Sequence, residues 1–251
     1  MAMLKLRPNP LAEAAFAPPV PRLPPNKRVY AVGDIHGHLD LLKRLQAAID
    51  EDMLVHPGVD CIEVYLGDYV DRGPQSAAVI DALIERQASR KAVCISGNHE
   101  AVMIDALLSR ETFARWLKMG GLETVFSYVG HRRNLDENTL WSLWRAAVSS
   151  AHLAFLKRLS SHFVCGDYLF VHAGLRPGVP LEEQSREDMM WIRREFLDCP
   201  DWLGHCVVHG HTPTKVPEVL PNRINIDTGA YASGHLTCLV LEGADCFHIT
   251  T

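Results

Sequence analysis

Apolar positions along this chain follow two rhythms, and their alternation predicts the elements. Val29-Tyr30-Ala31-Val32 is an unbroken apolar run, the pattern of a strand covered on both faces. Leu41, Leu42, Leu45, Ala48 and Ile49 then recur at helical spacing. Cys61-Ile62-Glu63-Val64-Tyr65-Leu66 reads as a second strand, and Ala77, Ile80, Leu83 and Ile84 as a second helix. Lys91-Ala92-Val93-Cys94-Ile95 is a third strand. This β-α-β-α-β order predicts a parallel or mixed sheet with helices on its faces, an α/β fold.

Residues 101–160 read differently. Ile104, Leu107 and Leu108 share one helix, and Trp116, Trp141, Trp144, Leu153, Leu156 and Leu159 predict several more, with the tryptophans as core. Strands resume at Tyr168–Val171, Cys206–Val208, Ile224–Ile226, Leu236–Leu241 and Phe247–Ile249. Their close spacing predicts a second sheet with antiparallel parts.

Composition narrows the class. Seven prolines between residues 8 and 25 remove backbone donors, so residues 1–26 are expected to form an arm that does not fold alone. Residues 27–251 are expected to form the folded domain, with a helical insert at about 101–160. A net charge of −5 argues against a general nucleic-acid surface. No segment reaches the roughly 18 apolar residues of a membrane span. The seven cysteines are scattered, with no Cys-x-x-Cys pair, which suits reduced thiols and a cytoplasmic protein.

Five short motifs carry the chemistry: Gly33-Asp34-Ile35-His36-Gly37, Gly67-Asp68-Tyr69-Val70-Asp71-Arg72-Gly73, Gly97-Asn98-His99-Glu100, His172-Ala173-Gly174 and Gly210-His211-Thr212. Most follow a predicted strand, and in open α/β sheets ligands collect at such strand ends. In extended backbone Asp34 and His36 would face one side. Asp68 is placed to bridge two cations. Asn98 adds an amide oxygen, and His172 and His211 add imidazoles. That donor mixture suits Mn²⁺, Fe or Zn²⁺. His99 is the candidate general acid, facing the leaving group from the side opposite Asn98 if the backbone is extended there. Asp71 would orient it, and Arg72 would clamp phosphate oxygens. A lone histidine at any of these places reads as structural; the ordered set reads as a site.

The ordered motifs resemble those of the phosphoprotein phosphatases among the calcineurin-like metallophosphoesterases, with bacterial and lambda phage protein phosphatases nearest in pattern. The likeness spans roughly residues 28–241. It implies a two-sheet β-sandwich flanked by helices, in four αββα layers. It implies one divalent metal on Asp34, His36 and Asp68 and another on Asp68, Asn98, His172 and His211, with Mn²⁺ the first candidate. It implies an Asp71–His99 dyad, and phosphate binding by Arg72 and by Arg193 in Trp191-Ile192-Arg193. Pro213 stands where broader metallophosphoesterases carry a further metal histidine. Relatives that split diadenosine tetraphosphate symmetrically often lack an acid at the place of Asp71 and carry Gly-Asn-His-Asp; this chain keeps Asp71 and Glu100. The resemblance therefore implies a serine/threonine-type protein phosphatase that attacks phosphoprotein or phosphopeptide monoesters with a metal-activated hydroxide. Symmetrical dinucleoside tetraphosphate hydrolysis is the alternative. Oligomeric state and physiological substrate are left open by the sequence.

Overall fold

A computed structural model describes residues 1, 3–5, 19–132 and 134–251. Most of the proline-rich stretch, residues 6–18, lies outside the described residues. The strands are β1 (Leu4–Lys5), β2 (Lys27–Val32), β3 (Asp60–Tyr65), β4 (Ala92–Cys94), β5 (His162–Cys165) and β6 (Tyr168–Val171), then β7 (Cys206–His209), β8 (Glu218–Val219), β9 (Arg223–Asn225), β10 (Thr237–Glu242) and β11 (Asp245–Thr250). The helices are α1 (Leu39–Leu54), α2 (Ser76–Ser89), α3 (Asn98–Leu108), α4 (Arg110–Trp116), α5 (Leu122–Val129), α6 (Glu137–Ala147), α7 (Ser150–Lys157), α8 (Arg186–Trp191), α9 (Arg194–Leu197) and α10 (Ala230–Ser233). A π-type turn, Leu117–Gly121, joins α4 to α5.

Successive strand residues point to opposite faces, and that alternation builds the layers. Val29 and Ala31 of β2 face inward with Val64, Leu239 and Leu241, where they meet Phe170, Val208 and Ile224 of a second sheet. Tyr30, Val32, Tyr65 and Val240 face the other way, onto Leu42, Leu45 and Ile49 of α1 and Val79, Ile80 and Leu83 of α2. Leu169, Val171 and Val207 of the second sheet turn outward onto Met189, Ile192 and Phe196. Helices thus cover both outer faces of a two-sheet sandwich. The periodic apolar positions read in α1, Leu41, Leu42, Leu45, Ala48 and Ile49, are all buried. Each Leu or Ile side chain removed from water in this way contributes about 1.5–3 kcal/mol.

The first sheet runs β1-β11-β10-β2-β3-β4, with β2, β3 and β4 parallel. The second runs β5-β6-β7-β9-β8, with β6, β7 and β9 parallel and β5 and β8 antiparallel at its edges. One expectation changes here. The last two strands do not join the second sheet: β10 pairs antiparallel with β2, and β11 with β10, so they complete the first. Residues flanking the undescribed stretch pack on the domain. β1 pairs with β11, and Leu23 is buried with its N–H on the Gly243 carbonyl.

Helices α3 to α7 fill most of 101–160, and Trp116, Trp141 and Trp144 are core. Leu108 departs from the expected apolar face and lies on the surface. All seven cysteines are free thiols. Among the described residues, no helix is long and apolar enough to cross a membrane.

Candidate active site

Parallel strands end on the same side, so the loops after β2, β3 and β4 meet at one rim, opposite those after β6 and β7. Asp34, His36, Asp68, His172 and His211 lie on these loops, Asn98 opens α3 at the end of one, and all six are buried. They gather where the C-terminal ends of the two sheets face each other. His36, Asp68, Asp71, Arg72 and His211 take left-handed backbone, at φ between +46° and +74°. Among the described non-glycine residues only Asn26 and Asn134 share that conformation. Such angles cost roughly 1–3 kcal/mol each and persist only where neighbours impose them. They also overturn two expectations. His36 is not extended, and Asn98 and His99 open helix α3, so their side chains diverge by about 100° and not by a strand's half-turn.

Glu100 supplies much of the constraint. Its two oxygens accept the N–H groups of Asp68, Tyr69, Val70 and Gly97. The loop also bonds to its neighbour, since His36 and Gly37 donate their N–H groups to the carbonyls of Asp68 and Tyr69. Gly97 allows the close approach: a Cβ there would stand 2.2 Å from Asp68 Oδ1.

The donor set has the chemistry of a cation site. His36 Nδ1 lies 2.8 Å from the Val70 carbonyl and His172 Nδ1 lies 2.9 Å from the Leu66 carbonyl. Each ring therefore spends its N–H on backbone and turns a bare Nε2 inward. Those lone pairs meet acceptors: His36 Nε2 is 3.6 Å from Asp68 Oδ2, and His172 Nε2 is 3.4 Å from Asp68 Oδ1. His172 Nε2 and His211 Nδ1 stand 3.2 Å apart, both about Asn98 Oδ1 at 3.0 and 2.9 Å. His211 Nδ1 can share a hydrogen with Asn98 Oδ1, but the bare Nε2 atoms of His36 and His172 face the Asp68 oxygens, and a cation placed among them removes that conflict. Burial holds His36 and His211 down to about 3 and lowers His172 as well, so each ring is a neutral ligand. The residues fit a pair of divalent ions, with Asp68 common to both tight clusters, His36–Asp68–His99 and Asp68–His172–His211.

Asp34 behaves differently from the expectation of a simple ligand. It lines the same cavity but stands outside both tight clusters. Its oxygens accept the His211 N–H, and the buried Asp227 carboxyl lies close enough to act on its charge. Burial, with Asp227 and Asp68 beside it, raises the Asp34 carboxyl well above its ordinary value. Burial likewise pushes Asp227 up to about 6. Crowded carboxyls of this kind also favour a cation.

His99 Nδ1 lies 2.6 Å from Asp71 Oδ2. Burial works against its charge, but Asp68 and Asp71 outweigh that and raise the imidazole to about 9. Arg72 Nη2 is 3.3 Å from His99 Nε2, and its guanidinium lies over the Tyr231 ring at 4.2 Å. Among the described residues Arg72 has no carboxylate partner. Two positive groups so close, aimed into one space, suit an anion between them. The cavity, about 290 Å³, is lined by Asp34, His36, Asp68, Arg72, Asn98 and His99, together with Met119, Trp191, Arg193 and His211. Arg193 thus reaches the site, with Nη1 3.2 Å from Thr212 Oγ1, while Arg194 starts α9 and is absent from the lining.

Several contributors escaped the sequence reading. Glu100 carried a legible signal, an acid at the third helical position after Gly97, as in a capping box. Trp116, Thr124 and Tyr231 carried none, because their partners lie far away in the chain. His209 is buried and directed at Arg223, away from the cavity.

The sequence profile of the calcineurin-like phosphoesterases matches residues 27–238. PrpE of Anoxybacillus flavithermus, named an asymmetrical bis(5'-nucleosyl)-tetraphosphatase, is 32% identical over 83% of this chain and 88% of its own. A solved structure described as a candidate diadenosine tetraphosphatase superposes with a TM-score of 0.60 at 21% identity, over 89% of this chain and 93% of that one. A serine/threonine phosphatase from Saccharomyces cerevisiae superposes with a TM-score of 0.56 at 14% identity, over 90% and 80%. Identities that low establish the fold these structures share with this chain.

Proposed function

This chain belongs to the calcineurin-like phosphoesterases, metal-dependent hydrolases with a dinuclear divalent centre, and from that membership we propose that it removes phosphate from serine or threonine side chains of proteins. In this reading Asp34, His36 and Asp68 hold one ion, and Asp68, Asn98, His172 and His211 the other. Two such ions, when bound, would activate a water for attack and offset charge on phosphate oxygens. Mn²⁺ is the proposed ion; the mixed oxygen and imidazole donors also suit Fe and Zn²⁺. Arg72 and Arg193, which both line the cavity, grip phosphate oxygens. His99 gives its proton to the departing oxygen, and Asp71 fixes the ring that carries it.

The observation that carries the monoester reading is the buried His99–Asp71 contact of 2.6 Å. A serine or threonine alkoxide leaves poorly without a proton, so a held acid contributes most there. A nucleotide phosphate leaves from an anhydride with far less help. The test compares turnover of a phosphoserine peptide and of diadenosine tetraphosphate with Mn²⁺, for the native protein and for His99→Asn. Preference for the peptide, lost in the variant, is the expected result; faster turnover of the dinucleotide by the native protein would overturn it.

A second reading has its own support. The curated relative is named for asymmetrical cleavage of dinucleoside tetraphosphates, which also replaces the symmetrical reaction as the alternative. Trp191 and Tyr231 stand 40% and 39% exposed beside the site, Trp191 edge-on to His211 and Tyr231 edge-on to His36. Exposed rings of this kind stack nucleobases for about 1–3 kcal/mol per base.

A further inference from the structure

The helical insert reaches into the dyad. Asp71 is wholly buried, and two residues of the insert hold its carboxylate by separate oxygens. Trp116 Nε1 donates to Oδ2 at 2.7 Å, and Thr124 Oγ1 donates to Oδ1 at 2.7 Å. The Asp71 N–H returns a bond to Thr124 Oγ1 at 2.8 Å, and Ser76 Oγ lies 2.9 Å from that hydroxyl. Two donors on two oxygens fix the plane of a carboxylate. The remaining acceptor direction of Oδ2 then points at His99 Nδ1.

Local backbone makes this hold possible. Trp116 and Thr124 are eight residues apart. In a straight α-helix at 100° per residue, that spacing turns their side chains about 80° away from each other. The π-type turn Leu117–Gly121 lies between them, with Gly120 at φ +107°. The wider turn and the break at Gly120 take up the difference, so both side chains face Asp71. The same turn accepts the Arg72 N–H on the Gly120 carbonyl at 3.1 Å. A Cβ on Gly120 would stand 3.0 Å from Arg72 Cγ. Extra residues in helical turns often mark functional positions.

We propose that Trp116 and Thr124 are positioning residues for proton delivery: they lock the Asp71 carboxylate so that His99 presents Nε2 to the leaving group. The proposal rests on the reading of His99 and Asp71 as the acid and its orienter. It has a signature that mere support of the fold lacks, because a proton matters only when the leaving group needs one. Loss of either donor slows esters of poorly acidic alcohols and spares esters of acidic phenols.

The test measures kcat and KM, with saturating Mn²⁺, for 2,4-dinitrophenyl phosphate, phenyl phosphate and a phosphoserine peptide. Trp116→Phe keeps the ring and removes the N–H; Thr124→Val keeps the shape and removes the hydroxyl. Phe113→Leu disturbs the same aromatic cluster without touching Asp71, as Phe113 packs on Trp116 and Trp144. General acids contribute on the order of 10²–10⁴ in rate. Losing one of two anchors should therefore lower kcat for the peptide by about tenfold or more, against less than about threefold for the dinitrophenyl ester, with KM little changed. Phe113→Leu should lower the melting temperature without altering the ratio between substrates. His99→Asn sets the limit. If it shows no dependence on the leaving group, the dyad reading itself fails, and the inference with it. If His99→Asn does show that dependence while Trp116→Phe and Thr124→Val slow all three esters equally, the inference alone is overturned.

Discussion

Replacing Glu100 by glutamine asks how far one buried carboxylate holds the site together. Oε1 accepts the N–H groups of Tyr69 and Val70 at 2.7 and 3.2 Å. Oε2 accepts those of Asp68 and Gly97, each at 2.9 Å. Glutamine has the same shape, so no cavity opens. It keeps one acceptor oxygen and turns an amide NH₂ toward the other pair. Two buried donors then face a third donor. A buried donor left without a partner costs about 1–3 kcal/mol, so E100Q should lose roughly 2–6 kcal/mol of folding free energy. Against a total of about 5–15 kcal/mol for a typical domain, the loss is large but measurable. The consequence extends to the metals. Asp68 sits at φ +51°, and its N–H is one of the four that Glu100 accepts. Once freed, the loop relaxes toward ordinary backbone and carries the shared carboxylate away from His36 and His172. Urea unfolding at fixed Mn²⁺ should show a lower midpoint with an unchanged slope. Metal analysis after gel filtration should show less bound Mn²⁺ than in the native protein. An unfolding free energy within about 0.5 kcal/mol of native, together with full metal retention, would refute the reasoning, since surface-like substitutions fall in that range.

Three further outcomes are expected. Tyr231→Ala removes the ring 4.2 Å from the Arg72 guanidinium, a contact worth about 0.5–1 kcal/mol at an exposed position. Steady-state kinetics should therefore show KM for a phosphomonoester raised roughly two- to fivefold with kcat nearly unchanged; a loss confined to kcat would contradict the role. Burial acts to raise the Asp50 carboxyl, but Arg86 and Arg90 outweigh it and hold the group below its ordinary value. A carboxyl depressed on folding contributes stability that is present above its unfolded pKa of about 3.9 and is lost as pH falls through the folded value. The stability advantage of the native protein over Asp50→Asn should thus hold at neutral pH and shrink below about pH 4; a constant difference down to pH 2 would exclude that linkage. Chelation should lower the melting temperature and abolish hydrolysis, with both restored by Mn²⁺ in a concentration-dependent way. A ligand at 100 times its Kd adds about 2.7 kcal/mol, and a melting temperature indifferent to chelator would argue against ions at the convergent imidazoles.

What was legible in the sequence follows from which interactions are local. The strand-end position of Asp34, Asp68, Asn98, His172 and His211 could be read because an apolar run and the polar loop after it are adjacent in the chain, and parallel strands send those loops to one edge. Burial at helical spacing in α1 was legible for the same reason. Sheet membership was not. Leu236–Leu241 has the same apolar pattern whether it pairs with β2 or with β9, and its antiparallel pairing to β2 is decided by the packing of the whole sandwich. Local geometry also escaped where the site is strained. Nothing in Gly-Asp-x-His-Gly announces that His36 takes φ +46°, because the cause is the bonding of its loop to the Asp68 loop. Helices α3 to α7 pack tryptophans into the core of this region, and the contact of Trp116 with Asp71 stayed invisible across 45 residues. A buried indole usually places its N–H on an acceptor, although Trp144 Nε1 finds none among the described residues. Trp141 gives its own to the Ala106 carbonyl, a bond inside the insert that serves stability alone. Trp116 instead spends its bond on a buried carboxylate beside the candidate acid. The core of the insert and the geometry of the dyad are therefore built by the same side chain, and the periodicity that marks such a residue as core is silent about its second task.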